Sequence, residues 1–80
     1  MKVHMRYFAA LKEETGMEKE ELELIEGSGM MELFRALRKA HPLLRDLDGL
    51  LFAVNGVRSS LDAKLKEGDL VGLIPPVSGG

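Results

Sequence analysis

The fold is decided by one stretch, residues 30–41, which reads MMELFRALRKAH. Its apolar residues recur at the i, i+3, i+4 and i+7 spacing that places side chains on one side of an α-helix. The predicted apolar stripe consists of Met30, Leu33, Phe34, Leu37, Ala40 and His41. The charged residues on the other side are Glu32, Arg35, Arg38 and Lys39. A helix of this kind has to bury its apolar stripe against another layer, so we expect a sheet beneath it.

Residues next to this stretch predict where the helix begins and ends. Ser28 is the predicted N-cap, although Met31, three residues later, cannot complete a capping box with it. Pro42 disfavours helical geometry at the residue before it, so the helix is predicted to end at His41. A protonated His41 in the last turn would interact favourably with the helix dipole. We therefore assign His41 a structural role rather than a ligand role.

A first strand is predicted at residues 1–8, because polar and apolar side chains alternate there. The side chains expected to face inward are Val3, Met5 and Tyr7, and those expected to face outward are Lys2, His4, Arg6 and Phe8. Phe8 interrupts the polar face. It either turns inward where the strand ends or is an exposed aromatic side chain of the kind enriched at partner interfaces.

A second strand is predicted at residues 20–26, paired antiparallel with the first because the connection between them is compact. Leu22 and Leu24 are expected to face inward, and Glu21, Glu23 and Ile25 outward. Residues 9–15 favour a short helix, which Gly16 would end. The acidic pair Glu20-Glu21 is interpreted as solvated rather than catalytic.

The chain after the long helix predicts a hairpin. Residues 50–54 form a continuous apolar run, which indicates a buried and central strand. Asn55-Gly56 is a strong hairpin signal. Val57 and Arg58 then form a brief return strand.

The last predicted strand, residues 70–74, follows a turn at residues 67–69. Leu61 and Leu65 are expected to cover the core before that turn. The order is therefore strand, strand, long helix, strand, short strand, strand. We interpret it as an α+β fold of the β-grasp, or ubiquitin-like, type, with a mixed sheet packed on one main helix. The first and last strands must lie side by side if the helix is to cover both halves of the sheet.

Composition narrows the possible functions. The 80 residues carry a net charge of −2, which favours neither nucleic acid nor an anionic membrane surface as a partner. The sequence has no bilayer-spanning apolar run and no signal-peptide pattern, so we expect a cytoplasmic protein. It contains no cysteine, which excludes disulfides, thiolate metal sites and a cysteine nucleophile. His4 and His41 are too few for a metal site, and no serine has a matching His and Asp constellation. The chain is not expected to be an enzyme alone.

The chain ends in Pro75-Pro76-Val77-Ser78-Gly79-Gly80, which we call the C-terminal arm. Two prolines stop the preceding strand and extend the chain as a semi-stiff base. Two glycines without side chains make a narrow tip with a free carboxylate. Such a shape suits entry into a tunnel of another protein, whereas the alternative is a frayed terminus. We divide the chain into a domain, residues 1–76, and a tail, residues 77–80.

Several segments resemble the sulfur-carrier family of ubiquitin-like proteins, which includes small subunits of molybdopterin synthase. They are Arg6-Tyr7-Phe8-Ala9, Leu11-Lys12-Glu13-Glu14-Thr15-Gly16, Ala53-Val54-Asn55-Gly56, Leu65-Lys66-Glu67-Gly68-Asp69 and the C-terminal arm. The resemblance covers essentially the full length. Two positions depart from it: Ile74 stands where the family often has Phe, and Arg58 where it often has an apolar residue.

The resemblance implies a function in molybdenum cofactor biosynthesis. An ATP-using activating enzyme would adenylate the Gly80 carboxylate, and a sulfur donor would convert it to a thiocarboxylate. The C-terminal arm would then enter the large subunit of a heterotetramer and give sulfur to cyclic pyranopterin monophosphate. Phe8, Arg58 and Ile74 would form the partner interface. No cofactor or metal would stay bound to the carrier itself.

Other functions stay open at this point. A ubiquitin-like modifier of the archaeal type would join Gly80 to lysines of target proteins, starting from the same acyl-adenylate. The chain could also carry sulfur for another pathway, or be an interaction module whose tail has no chemical role.

Overall fold

The structure, a computed structural model, describes residues 1–44 and 50–75. In chain order its elements are strand β1 (Lys2–Tyr7), helix α1 (Ala10–Thr15), strand β2 (Lys19–Glu23), helix α2 (Met30–Ala40) and strands β3 (Leu51–Val54), β4 (Val57–Arg58) and β5 (Leu70–Ile74). This order confirms the predicted one. The predicted second strand is displaced, since β2 begins one residue earlier and ends three residues earlier than expected.

The strands form one mixed sheet in the order β2-β1-β5-β3-β4. β1 and β5 are parallel, with His4 opposite Leu70 and Tyr7 opposite Leu73, and the other pairs are antiparallel. The prediction that the first and last strands lie side by side is therefore confirmed, and so is the β-grasp fold. The expectation that residues 50–54 form the central strand is wrong. β5 occupies the centre, while β3 lies one strand from the edge and its side chains are half-buried.

The core lies between α2 and one face of the sheet. Its fully buried side chains are Val3, Met5, Tyr7, Leu11, Met30, Leu33, Leu37, Val71 and Leu73. The inward alternation predicted for β1 is thus confirmed. Two predicted core residues are not buried: Ala40, in the last turn of α2, and Leu61, in the loop after β4, are both exposed. Leu65 is buried as expected.

The start of α2 is fixed by long-range contacts rather than by the predicted N-cap Ser28. Gly29 is the N-cap, and its N–H donates to Glu32 Oε1 at 2.6 Å. This hydrogen bond holds the pKa of Glu32 below its ordinary value. The N–H of Met30 donates to the carbonyl of Ala63 at 3.0 Å. A Cβ on Gly29 would lie 2.8 Å from that carbonyl oxygen, so this close approach requires glycine.

The Asn55-Gly56 turn joins the hairpin to the beginning of β5. Asn55 has φ 53° and Gly56 φ 83°, as a two-residue hairpin turn with both central residues at positive φ requires. Asn55 Nδ2 donates to Asp69 Oδ1 at 2.9 Å, and the N–H of Leu70 donates to Asn55 Oδ1 at 3.0 Å. Asp69 also accepts from the N–H of Lys66 at 2.8 Å. These bonds fix β5 in register, and therefore fix where the C-terminal arm leaves the sheet.

Candidate partner-binding site

One face of the sheet is not covered by α2, and we call it the open face. Its side chains belong to the residues that alternate with the core positions of β1, β3 and β5. They include Arg6 on β1, Leu70, Gly72 and Ile74 on β5, and Ala53 on β3. A shallow depression of about 310 Å³ lies on this face, and its lining residues are Arg6, Phe8, Ala53, Gly56, Leu70, Gly72 and Ile74. Because Ile74, the last residue of β5, lies on the open face, this face is next to the point where the C-terminal arm begins.

Phe8 lies on the open face and is 40% exposed, so the alternative that it turns into the core is wrong. Its ring lies beside the backbone of Gly72: a Cβ there would be 3.3 Å from Phe8 Cε2. The Arg6 guanidinium carbon lies 5.7 Å from the centre of the Phe8 ring, within the range of a cation–π contact. Phe8 is therefore held over the middle of the sheet while much of its ring stays accessible.

The other two predicted interface residues also lie around this depression or next to it. Ile74 is 36% exposed and lies at the end of β5, opposite Leu51 of β3. Arg58 is exposed on the edge strand β4, opposite Ala53. The structure therefore brings Phe8, Arg58 and Ile74 to one face of one sheet. Their role in binding stays a prediction.

The C-terminal arm begins where β5 ends. Pro75 is half-buried and follows Ile74 directly. The remaining residues of the arm, Pro76, Val77, Ser78, Gly79 and Gly80, lie outside the described residues, as does the tail assigned to residues 77–80. The predicted role of the arm in tunnel entry stays a prediction.

A cluster of Tyr7, Glu20 and His41 was missed by sequence reasoning. The Tyr7 hydroxyl donates to Glu20 Oε1 at 2.5 Å, and His41 Nε2 lies 2.7 Å from the same oxygen. The Tyr7 and His41 rings meet edge to face with their centres 6.0 Å apart. Glu20 is opposite Met5 in the sheet and so faces inward, which corrects its interpretation as a solvated residue. The cluster ties the end of α2 to β1 and β2, in agreement with a structural role for His41.

Burial, together with the hydrogen bond to Glu20, raises the pKa of Tyr7 above its ordinary value of 10.0. The folded state therefore holds the hydroxyl proton more tightly than the unfolded state, and the associated stability is present below pH 10.0 and lost as the pH rises above it. We expect the free energy of unfolding to fall above that pH, with a shallower fall in Tyr7→Phe.

Tyr7 is the one tyrosine of the chain, and tryptophan is absent. Ultraviolet absorbance of tyrosinate therefore follows Tyr7 alone. We expect it to appear together with unfolding, measured by circular dichroism on the same samples. Titration at the ordinary pKa in a protein that is still folded would contradict the cluster.

Two features are absent from the part of the chain that the structure describes. Across residues 1–44 and 50–75, no group of three or more His, Asp or Glu side chains is placed to hold a metal ion. Neither described helix is long and apolar enough to cross a membrane.

Comparison with models of protein families matches residues 5–80 to the ThiS family. The chain belongs to the ThiS family. A relative named molybdopterin synthase sulfur carrier subunit, from Chlamydomonas reinhardtii, is 36% identical over 83 residues, and the match covers 100% of both chains. This supports the resemblance to sulfur carriers.

Two solved structures are similar to this chain over its whole length. A complex of subunits 1 and 2 of molybdopterin-converting factor from Helicobacter pylori contains a chain 30% identical to this ThiS-family protein, with a TM-score of 0.73 and 100% of both chains covered. The small archaeal modifier protein SAMP1 of Haloferax volcanii is 26% identical, with a TM-score of 0.87 and 100% of both chains covered. The first is a complex with a second subunit, and the second is named as a modifier.

Proposed function

We propose that this chain is the sulfur carrier subunit of molybdopterin synthase and that it carries sulfur as a thiocarboxylate on Gly80. The observation that carries the proposal is the end-to-end match to a protein of that name, which covers all of both chains. The absence of cysteine supports it as well, because no side-chain thiol is available to hold the sulfur. The C-terminal carboxylate is the remaining place for it.

Loading begins with activation, because a carboxylate is a poor electrophile. An oxygen of the Gly80 carboxylate attacks the α-phosphorus of ATP on an activating enzyme, and pyrophosphate leaves. A sulfide equivalent from a sulfur donor then attacks the acyl carbon, and AMP leaves with the oxygen. Gly79 and Gly80 have no side chains, so enzyme backbone can approach the reacting carbonyl closely. ATP is consumed by the activating enzyme, and the carrier keeps no cofactor.

Delivery takes place in the large subunit of molybdopterin synthase. The thiocarboxylate sulfur attacks a carbon of cyclic pyranopterin monophosphate and displaces an oxygen substituent of that carbon. Water then hydrolyses the acyl–sulfur bond, which leaves the sulfur on the product and restores the carboxylate of the carrier. A dithiolene contains two sulfur atoms, so each product molecule uses two loaded carriers. We propose a heterotetramer of two carriers and two large subunits, in which residues 75–80 reach the reaction site. The Helicobacter pylori complex of subunits 1 and 2 supports a large-subunit partner. The carrier thus acts as a subunit of a sulfurtransferase and is not catalytic alone.

Phe8 provides a test of the open face as the contact surface. We expect Phe8→Ala to weaken binding to the large subunit by more than about 1–2 kcal/mol, since truncation of an aromatic interface anchor has this effect. The thermal midpoint should stay nearly unchanged, because Phe8 is 40% exposed and lies outside the core. Calorimetric titration and thermal unfolding measure the two quantities.

Phe8→Leu is the matched control, since it keeps an apolar side chain beside Gly72 and should retain most of the affinity. A large loss of stability in Phe8→Ala, with binding intact at low temperature, would show that Phe8 serves the fold and not the interface.

A second candidate function is protein modification, in which the Gly80 adenylate is attacked by a lysine of a target protein. The similarity to SAMP1 of Haloferax volcanii favours it, because that protein matches over all of both chains. Sulfur carriage for another pathway would use the same loading steps.

Mass spectrometry on proteins from the native cell separates these functions. Replacement of one terminal oxygen of Gly80 by sulfur supports the carrier. Gly-Gly remnants on lysines of other proteins support the modifier. A terminus that is never modified would leave the chain as an interaction module and would overturn the proposal.

A further inference from the structure

Four neighbouring strands of the open face contribute one residue each to a single cross-strand row. Arg6 is opposite Gly72, Gly72 is opposite Ala53, and Ala53 is opposite Arg58. Neighbouring strands lie about 4.8 Å apart, so the outer two residues are separated by about 14 Å. The row therefore has two small residues, Gly72 and Ala53, between two arginines, and the Phe8 ring lies over Gly72.

The two arginines differ in what already contacts them. Arg6 lies over the Phe8 ring, and its Nη2 is 3.9 Å from Glu18 Oε1. Arg58 is exposed at the edge of the sheet, and within residues 1–44 and 50–75 its guanidinium contacts neither a carboxylate nor a hydrogen-bond acceptor. The charge of Arg58 is therefore available to a partner without loss of an existing ion pair.

We propose that this row binds an acidic segment of the large subunit, with a carboxylate of that segment paired to Arg58. The proposal rests on the proposed function, because it takes the large subunit as the partner. Ala53, which is opposite Arg58, lets the segment's backbone approach the sheet closely, and the depression beside Phe8 and Ile74 receives an apolar neighbour of the carboxylate. Arginine pairs with a carboxylate through two parallel N–H···O bonds, which fixes orientation as well as contributing affinity.

The charges around the row favour a short acidic peptide over a polyanion. Glu21 and Glu23 project from β2 on the same face as the row, since they alternate with the inward residues Glu20 and Leu22. A nucleic acid laid across the sheet would compete with these carboxylates, which already pair with Lys2, His4 and the N-terminal ammonium. One carboxylate at Arg58 on β4 lies four strands away from Glu21 and Glu23 on β2, so it avoids that competition.

Two variants, Arg58→Leu and Arg58→Lys, separate the effect of the charge from that of side-chain size. Calorimetric titration at low and high salt measures binding of the unloaded carrier to the purified large subunit. We expect Arg58→Leu to lower the affinity at least about tenfold at low salt, and to lose most of the salt dependence. Arg58→Lys should retain the salt dependence. Arg35→Leu is the matched control, because this exposed arginine lies on α2, on the opposite side of the domain, and its loss should change nothing.

A charge exchange identifies the partner group. Arg58→Glu should lose binding, and one Asp→Lys or Glu→Lys variant of the large subunit should restore it. If no acidic position of the large subunit restores binding, or if Arg58→Leu binds like the wild type, the proposal is wrong. Sedimentation of the carrier alone shows whether a second copy of the chain occupies the row, and a dimer that Arg58→Leu abolishes would also overturn it.

Failure of this proposal is distinguishable from failure of the proposed function. Mass spectrometry of Gly80 after incubation with the activating enzyme and sulfur donor does not depend on the large subunit. A carrier that is loaded and binds the large subunit without help from Arg58 refutes the acidic segment alone. A carrier that binds the large subunit through Arg58 but is never loaded refutes the proposed sulfur carriage alone, and a carrier that never binds the large subunit refutes both.

Discussion

A carrier with one alanine appended after Gly80 is expected to fold normally and to lose sulfur transfer almost completely. The added residue is remote from the core, so the thermal midpoint should match the wild type. It moves the reacting carboxylate by up to about 3.3–3.6 Å along an extended chain. Misplacement of this size can lower the rate of a positioned reaction by about two orders of magnitude or more. ATP-dependent adenylate formation and conversion of the cyclic pyranopterin precursor measure the loss.

Deletion of Gly80 is the companion variant, since it shortens the arm where the alanine lengthens it. Both variants should still bind the large subunit, because Phe8 and Ile74 are unchanged. A binding measurement therefore separates a misplaced carboxylate from a lost interface. Adenylation and sulfur delivery at the wild-type rate by the alanine-extended protein would show that the Gly80 carboxylate is not the carrier site.

Leu37→Ala is expected to have the largest effect on stability. Leu37 is fully buried in the middle of α2 and belongs to the core beneath the sheet. Truncation at such a site costs about 2–5 kcal/mol. A domain of this size is stabilised by only about 4–12 kcal/mol, so the loss is a large share of the total. The thermal midpoint should fall by at least about 8 °C.

Lys39→Ala is the control on the same helix. Lys39 is exposed two residues further along, and we expect the free energy of unfolding to change by less than about 0.5 kcal/mol. Equal stability of the Leu37→Ala and wild-type proteins in chemical denaturation would contradict the observed packing of α2.

Sequence periodicity predicted which side of each element is buried but not how far the covering layer extends. The alternation at Val3, Met5 and Tyr7 was sufficient for β1, because every second side chain of a strand faces the same layer. Ala40 lies on the correct side of α2 by spacing, yet it is exposed in the final turn. Leu61 belongs to a loop, where no period indicates its direction.

The features that sequence reasoning missed depend on contacts between distant parts of the chain. Gly29 replaces Ser28 as N-cap because the adjoining Met30 N–H binds the carbonyl of Ala63. Glu20 faces inward because its register places it opposite Met5, and its carboxylate is satisfied there by Tyr7 and His41 from two other segments. Without knowledge of such partners, a charged residue in a strand with alternating side chains is interpreted as exposed to solvent.

The candidate site was predictable to the extent that it depends on local pattern. Phe8 on the polar face of β1 indicated an exposed aromatic side chain, and the Gly-Gly end indicated an arm. The row from Arg6 to Arg58 could not be read from sequence. It depends on the registers of three strand pairs, and each register is fixed by turns and long-range hydrogen bonds such as those between Asn55 and Asp69.

The central claim is that sulfur travels on the carboxylate of Gly80, and one measurement tests it directly. The carrier is loaded with ATP, the activating enzyme and the sulfur donor, purified, and mixed with the large subunit and cyclic pyranopterin monophosphate. Mass spectrometry follows the C-terminal peptide during the reaction. We predict the mass gain of one sulfur replacing one oxygen, confined to that peptide and lost in step with dithiolene formation. Sulfur on any other residue, or a gain that persists while product forms, would contradict the account.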